Sequence, residues 1–319
     1  MSEETAAAAP EETPAPPVVT TAAADVHVLS RFSELDALTA RTITASAQTR
    51  LIVIAGMNGS GKTTLVASIY ERFLRGTQFA GYAFAGSETL IGFEQRCHLA
   101  RVASGLTRPQ TERTRVSERM ALLHWRVTSA DGRGGRRDLL FTDIFGEAFQ
   151  EAKDSTAACR RMTFLPRADR VVVLIDGKQL IDDAARLPAV ACVDDFLRRA
   201  IDCGMLGKRS NIDIATAKWD DVLRLPEPRR ASVEPYLSDV EARIREDFGG
   251  SMGSLRTARL AARPAPPSTL AVGYGVDGLF PSWVEEGRPD PAQPTPQVRL
   301  GSEIDRYARP SMPPISSTS

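Results

Sequence analysis

The 319-residue chain is long enough for one large domain or two small ones, and its 42% apolar and 25% charged content is ordinary for a globular protein. Forty basic and forty acidic side chains cancel, so the basic footprint of a nucleic-acid binder is missing and no such partner is expected. No apolar run reaches eighteen residues, and Cys97, Cys159, Cys192 and Cys203 include no C-x-x-C pair; we therefore expect no membrane span and a reducing, cytoplasmic setting.

Residues 1–26, rich in Ala, Pro, Thr and Glu and without an aromatic side chain, cannot bury enough surface to offset ordering and read as a disordered tail. They carry neither a signal-peptide pattern nor a myristoylation glycine. Residues 27–50 form a lead segment that packs on the core or on a partner. The main domain is expected over 51–285, and the Pro-rich residues 286–319 read as a second disordered tail.

Within 51–285, short apolar runs alternate with helical patterns, which predicts an α/β domain around a mostly parallel sheet. Buried strands are expected at 51–55, 139–143, 171–176 and 212–217, with a last strand at 257–262. Leu65, Ile69 and Phe73 mark one helix stripe. Val190, Val193, Leu197 and Ile201 mark a second, and Val233, Leu237, Val240 and Ile244 a third. Residues 120–128 and 139–143 flank the polar SADGRGGRRD and read as one antiparallel edge hairpin. The stretch 76–119 is long, yet apolar enough to add a strand and a helix.

Three motifs carry chemistry. The stretch GMNGSGKT, residues 56–63, satisfies G-x-x-x-x-G-K-[ST] between a buried strand and an amphipathic helix. Gly56, Asn58, Gly59, Ser60, Gly61, Lys62, Thr63 and Thr64 are the expected phosphate-binding set. Backbone N–H groups form an anion nest, Lys62 reaches the β- and γ-phosphates, and Thr63 offers its hydroxyl to Mg²⁺. Next, Asp143-x-x-Gly146 ends a strand adjoining the loop strand; Asp143 can hold Mg²⁺ through water and Gly146 can give its N–H to a γ-phosphate. Last, Ala217-Lys218-Trp219-Asp220 follows the 212–217 strand. A buried Asp220 would accept from the guanine N1 and N2 protons and reject adenine; the bland alternative is a polar turn.

Together these motifs resemble those of translation-factor-related, Ras-like P-loop GTPases, and FAGSETLIGFEQR, TDIFGEAF, LPRADRVVVLIDG and GVDGLFPSW are similar to the bacterial double-GTPase group. The resemblance implies a P-loop NTPase three-layer sandwich that binds GTP and GDP with Mg²⁺. It also implies a protein partner encoded nearby, a second GTPase or an effector, in a bacterial multi-component or conflict system. Glu147 occupies the position of the water-orienting glutamine. Thr114, ahead of Thr111 and Thr107, is the candidate to close over Mg²⁺ and the γ-phosphate, and Arg108, Arg113 or Arg115 could serve as an arginine finger in cis. Ala217 replaces the usual Asn or Thr of [NT]-K-x-D, and no Ser-Ala pair marks the fifth motif, for which Ala261 and Ala262 would offer backbone N–H groups. The leading expectation is a slow GTP-hydrolysing switch. The alternatives are a nucleotide-gated scaffold with little hydrolysis and an ATP-using P-loop enzyme.

Overall fold

The run TRLIVIAG makes β1 (Thr49–Gly56), whose last five residues are buried. The computed structural model describes residues 32–107, 109–110, 121–143, 146–285 and 287. Both tails therefore fall almost wholly outside the described residues, as do Arg108, Thr111, Arg113, Thr114 and Arg115. Six further strands follow: β2 (Tyr82–Gly86), β3 (Leu123–Ser129), β4 (Arg137–Asp143), β5 (Arg170–Asp176), β6 (Asn211–Ala217) and β7 (Ser254–Arg259). They form one sheet in the order β2-β3-β4-β1-β5-β6-β7. β1 lies parallel to β4 and β5, and β5, β6 and β7 continue in parallel. β3 runs antiparallel to β4, and β2 antiparallel to β3, so the antiparallel edge gains one strand from the 76–119 stretch. Every residue of β5 and β6 is buried, as a sheet covered on both faces requires.

The helices are α1 (Ala37–Ser46), α2 (Lys62–Arg75), α3 (Leu90–Cys97), α4 (Gly146–Asp154), α5 (Thr156–Arg161), α6 (Gly177–Leu180), α7 (Asp183–Asp202), α8 (Trp219–Leu223), α9 (Glu227–Phe248) and α10 (Val276–Glu285). One face of the sheet packs against α2, α3 and α10 through Ile52, Ile54, Phe141 and Val172. The other packs against α4, α5, α7 and α9 through Val53, Val171, Val173 and Ile214. This is the expected three-layer sandwich. The stripes behave accordingly: Leu65, Ile69 and Phe73 are buried on α2, and Val233, Leu237, Val240 and Ile244 on α9. Each such aliphatic contributes about 1.5–3 kcal/mol relative to exposure. Ile201, at the end of the α7 stripe, is only half-buried.

The lead segment packs on the core. Asp36 caps α1 by accepting from Leu38 and Thr39 N–H at 3.0 and 2.8 Å. Ala40 and Ile43 then meet Leu35, Leu122 and Leu140. The 76–119 stretch supplies β2 and α3, as its apolar content suggested, and it is pinned from two sides. Glu71 Oε2 on α2 accepts from Val102 N–H at 3.0 Å. Arg263 donates to the Leu99, Ala100 and Leu106 carbonyls.

One strand boundary needs correction. The last strand was expected at 257–262, but β7 spans Ser254–Arg259. Leu260 still donates to the Thr216 carbonyl of β6 at 2.7 Å, but the Ala261 N–H is taken by the Tyr274 carbonyl at 3.1 Å. Ala261 therefore has no N–H to spare for a base. No described helix is long and apolar enough to cross a membrane.

Candidate functional site

The loop from β1 to α2 combines crowding with open space. Gly56 has φ +148°, and a Cβ there would sit 2.8 Å from Ser60 Oγ and 3.0 Å from the Leu174 carbonyl. Gly59 and Gly61 have φ of +77° and +97°, yet a Cβ at either would meet nothing within 4 Å. Glycine is needed at those two positions for backbone direction, and the space beside them is vacant, as a nest for an anion requires. Gly61 then caps α2, so the helix's partly positive N-terminus opens into the same space. Lys62 is buried and curls back: its Nζ donates to the Gly56 and Met57 carbonyls, both at 2.9 Å. Ser60 is wholly buried, and its Oγ has no hydrogen-bond partner among the described residues. Thr63 and Thr64 form the first turn of α2, half-buried, whereas Asn58 is exposed.

The second motif meets this loop. Asp143 ends β4 in register with Ile54 of β1, two residues before Gly56; its side chain is outside the described set. Gly146 opens α4 and is buried against the loop. A Cβ on it would lie 2.5–2.8 Å from the N, Cα and Cβ of Asn58. No side chain fits there, which is why a glycine must stand at this position. Glu147 lies in the first turn of α4, exposed beside that contact. Among the threonine candidates Thr107 alone is described, and it is exposed.

The third motif sits two strands away. Lys218, at the end of β6, takes the left-handed conformation with φ +52°. Its Nζ pairs with Asp176 Oδ2 at 2.7 Å. Asp176 ends β5, and its other oxygen accepts from Lys178 N–H at 3.0 Å, capping α6. Gly177 passes so close to the Ala217 carbonyl that a Cβ could not be accommodated. Asp220 is buried on α8; its Oδ2 accepts from Arg224 at 2.8 Å and from Ala265 N–H at 3.0 Å. Burial, together with the Asp220 charge, pushes the neighbouring Asp221 carboxyl up.

The structure thus brings Gly56–Thr64, Gly146, Glu147, Lys218 and Asp220 to one edge of the sheet, where the parallel strands end. A model of the family described as Double-GTPase 2 matches residues 50–284. The chain belongs to that family. No curated protein sequence matches this double-GTPase chain. Among solved structures it is similar to a chain of the signal recognition particle receptor SRb-GTP/SRX complex from Chaetomium thermophilum, at 16% identity and a TM-score of 0.43, over 72% of this chain and 95% of that one.

Three residues at this edge escaped the motif reading. Asp176 closes the expected 171–176 strand, but its partner Lys218 lies 42 residues on. Arg224 stands four residues after Asp220, the spacing of a helical ion pair, and was legible in principle. The Ala265 N–H, which follows the corrected strand end, has no sequence signature.

Proposed function

We propose that this chain is a GTP-binding switch that hydrolyses GTP slowly in the presence of Mg²⁺. The observation that carries the reading is the backbone contact between Gly146 and Asn58. It sets the D-x-x-G segment against the phosphate loop, so a γ-phosphate in the loop would be felt by both. The vacant space beside Gly59 and Gly61 and the unpartnered Ser60 Oγ fit a bound anion. Lys62 would exchange its two carbonyl partners for phosphate oxygens. Lys218 and Asp220 would meet the guanine, with Arg224 and Ala265 holding the Asp220 carboxylate in place.

Thr63 and Asp143, with Thr114 as the third candidate, are the residues that would hold Mg²⁺, which when bound would neutralise charge on the β- and γ-phosphate oxygens. Glu147, exposed beside Gly146, would orient the attacking water. A carboxylate beside the γ-phosphate repels it, so intrinsic turnover is expected to be slow until a partner, a second GTPase or an effector, contributes. A second reading, a scaffold that binds GTP and hydrolyses little, draws on the same feature: Glu147 stands where glutamine would be expected. Multiple-turnover phosphate release separates the two. We expect measurable release, and Glu147→Ala to change kcat while leaving GTPγS affinity within about twofold, as for a group acting on the attacking water. Equal losses in both would defeat the Glu147 assignment, and the absence of release from the wild-type chain would favour the scaffold.

A further inference from the structure

Two thiols outside the nucleotide site face each other. Cys159 lies on α5 and is wholly buried, and Cys203 caps the C-terminus of α7 and is partly accessible. Their Sγ atoms are 3.3 Å apart, and Cys203 Sγ also lies 3.7 Å from the Ala200 carbonyl. A shift of about 1.2 Å would bring the sulfurs to disulfide length, ~2.05 Å. The two elements are already held side by side. Arg199 on α7 donates to the Lys153 carbonyl at 3.4 Å and to Thr156 Oγ1 at 3.2 Å, spanning the α4–α5 junction. Cys97 is buried against the other face of the sheet, in the cluster that packs α2, α3 and α10, and Cys192 shares the α7 face but stands eleven residues before Cys203.

We propose that Cys159 and Cys203 are a redox-active dithiol, whose oxidation by hydrogen peroxide staples α5 to the end of α7. The more accessible Cys203 sulfur attacks the peroxide O–O bond, forming a sulfenic acid and releasing one water. Cys159 then displaces the hydroxyl: the S–O bond breaks, the S–S bond forms, and the Cys159 proton leaves in a second water. Two thiols lose two electrons and the peroxide gains them. Burial, followed by the hydrogen bond and charge of Cys203, pushes the Cys159 thiol up to about 12, so the first attack falls to Cys203, and Cys159 gives up its proton as it attacks the neighbouring sulfenic acid. The staple restrains the α4–α5 segment that follows Asp143. The inference does not depend on which nucleotide binds, or on whether any does.

The test is graded hydrogen peroxide treatment of the full chain, then alkylation of remaining thiols, peptide mapping and hydrogen exchange. The expected result is a Cys159–Cys203 linked peptide that dithiothreitol reverses. Amides of residues 146–161 should exchange at least about threefold more slowly in the oxidised chain. The link should persist in Cys97→Ser and Cys192→Ser and vanish in Cys203→Ser. Should that last variant fail to fold, blocked alkylation of both thiols in the wild-type chain still decides. Both thiols remaining alkylatable, Cys203 over-oxidised while Cys159 stays free, or a link that leaves the exchange unchanged would each overturn the proposal.

Discussion

Asp176 holds two neighbours with its two oxygens, the Lys178 N–H and the Lys218 ammonium. Asparagine caps a helix about as well as aspartate, so Asp176→Asn keeps the first contact and removes the second. We expect a melting temperature close to wild type and a GTPγS affinity about fivefold weaker, ~1 kcal/mol for a partly exposed pair. Unchanged affinity would mean that Lys218 finds its place without this partner. The same residues show what the sequence can disclose. The loop motif was legible because its signature lies within eight consecutive residues. Asp176, Arg224 and Ala265 converge on the third motif from three separate segments, and their roles follow from packing. Ala217 in place of Asn or Thr left a gap in the motif that only the fold can fill, and Asp176 steadies the lysine from the neighbouring strand.

Among the elements, β3 and β4 are joined by a buried polar cluster. Asp138 Oδ1 accepts from His124 Nε2 at 2.7 Å and from Arg126 Nε at 2.6 Å, while His124 Nδ1 accepts from Glu88 N–H at 2.8 Å. Burial pushes the Asp138 carboxyl up, but the His124 and Arg126 hydrogen bonds outweigh it and hold the group below its usual range. A depressed folded value gives stability that is complete above the unfolded carboxylate value of ~3.9 and is lost as pH falls through the folded one. Urea midpoints at pH 6, 4 and 3 should therefore fall less steeply for Asp138→Asn than for wild type. Parallel slopes would show that Asp138 does not contribute to acid sensitivity. The strand pairing itself was readable from the polar stretch between two apolar runs. The last strand was misplaced by three residues because Leu260, Ala261 and Ala262 are apolar enough to continue it. Instead, the chain bends so that the Trp219 N–H can reach the Leu260 carbonyl at 2.9 Å.

Across the whole molecule, α10 is tied by a tryptophan hydrogen bond to a buried ion pair that joins β5 to β6. Arg170 Nη1 donates to Asp213 Oδ1 at 3.0 Å and Trp283 Nε1 donates to Asp213 Oδ2 at 2.8 Å, with Arg170, Asp213 and Trp283 all at 0% exposure. Removing one partner leaves a buried charge uncompensated, so Asp213→Ala should cost about 3–5 kcal/mol in urea unfolding; a loss below about 1 kcal/mol would show that water reaches Arg170. The layered architecture was legible in advance, because alternating buried runs and helical stripes leave few other ways to cover both faces of a sheet. The ion pair was not, since nothing in the sequence around Arg170, Asp213 or Trp283 marks them as neighbours. The central claim, that the sheet edge recognises guanine and a nucleotide phosphate together, is tested most directly by calorimetric titration with GTPγS and ATPγS in the presence of Mg²⁺. The account predicts GTPγS binding at least about a hundredfold tighter than ATPγS, abolished in Lys62→Ala and weakened about tenfold or more in Asp220→Ala. Equal or tighter ATPγS binding would contradict it and reduce the Lys218–Asp220 segment to a turn.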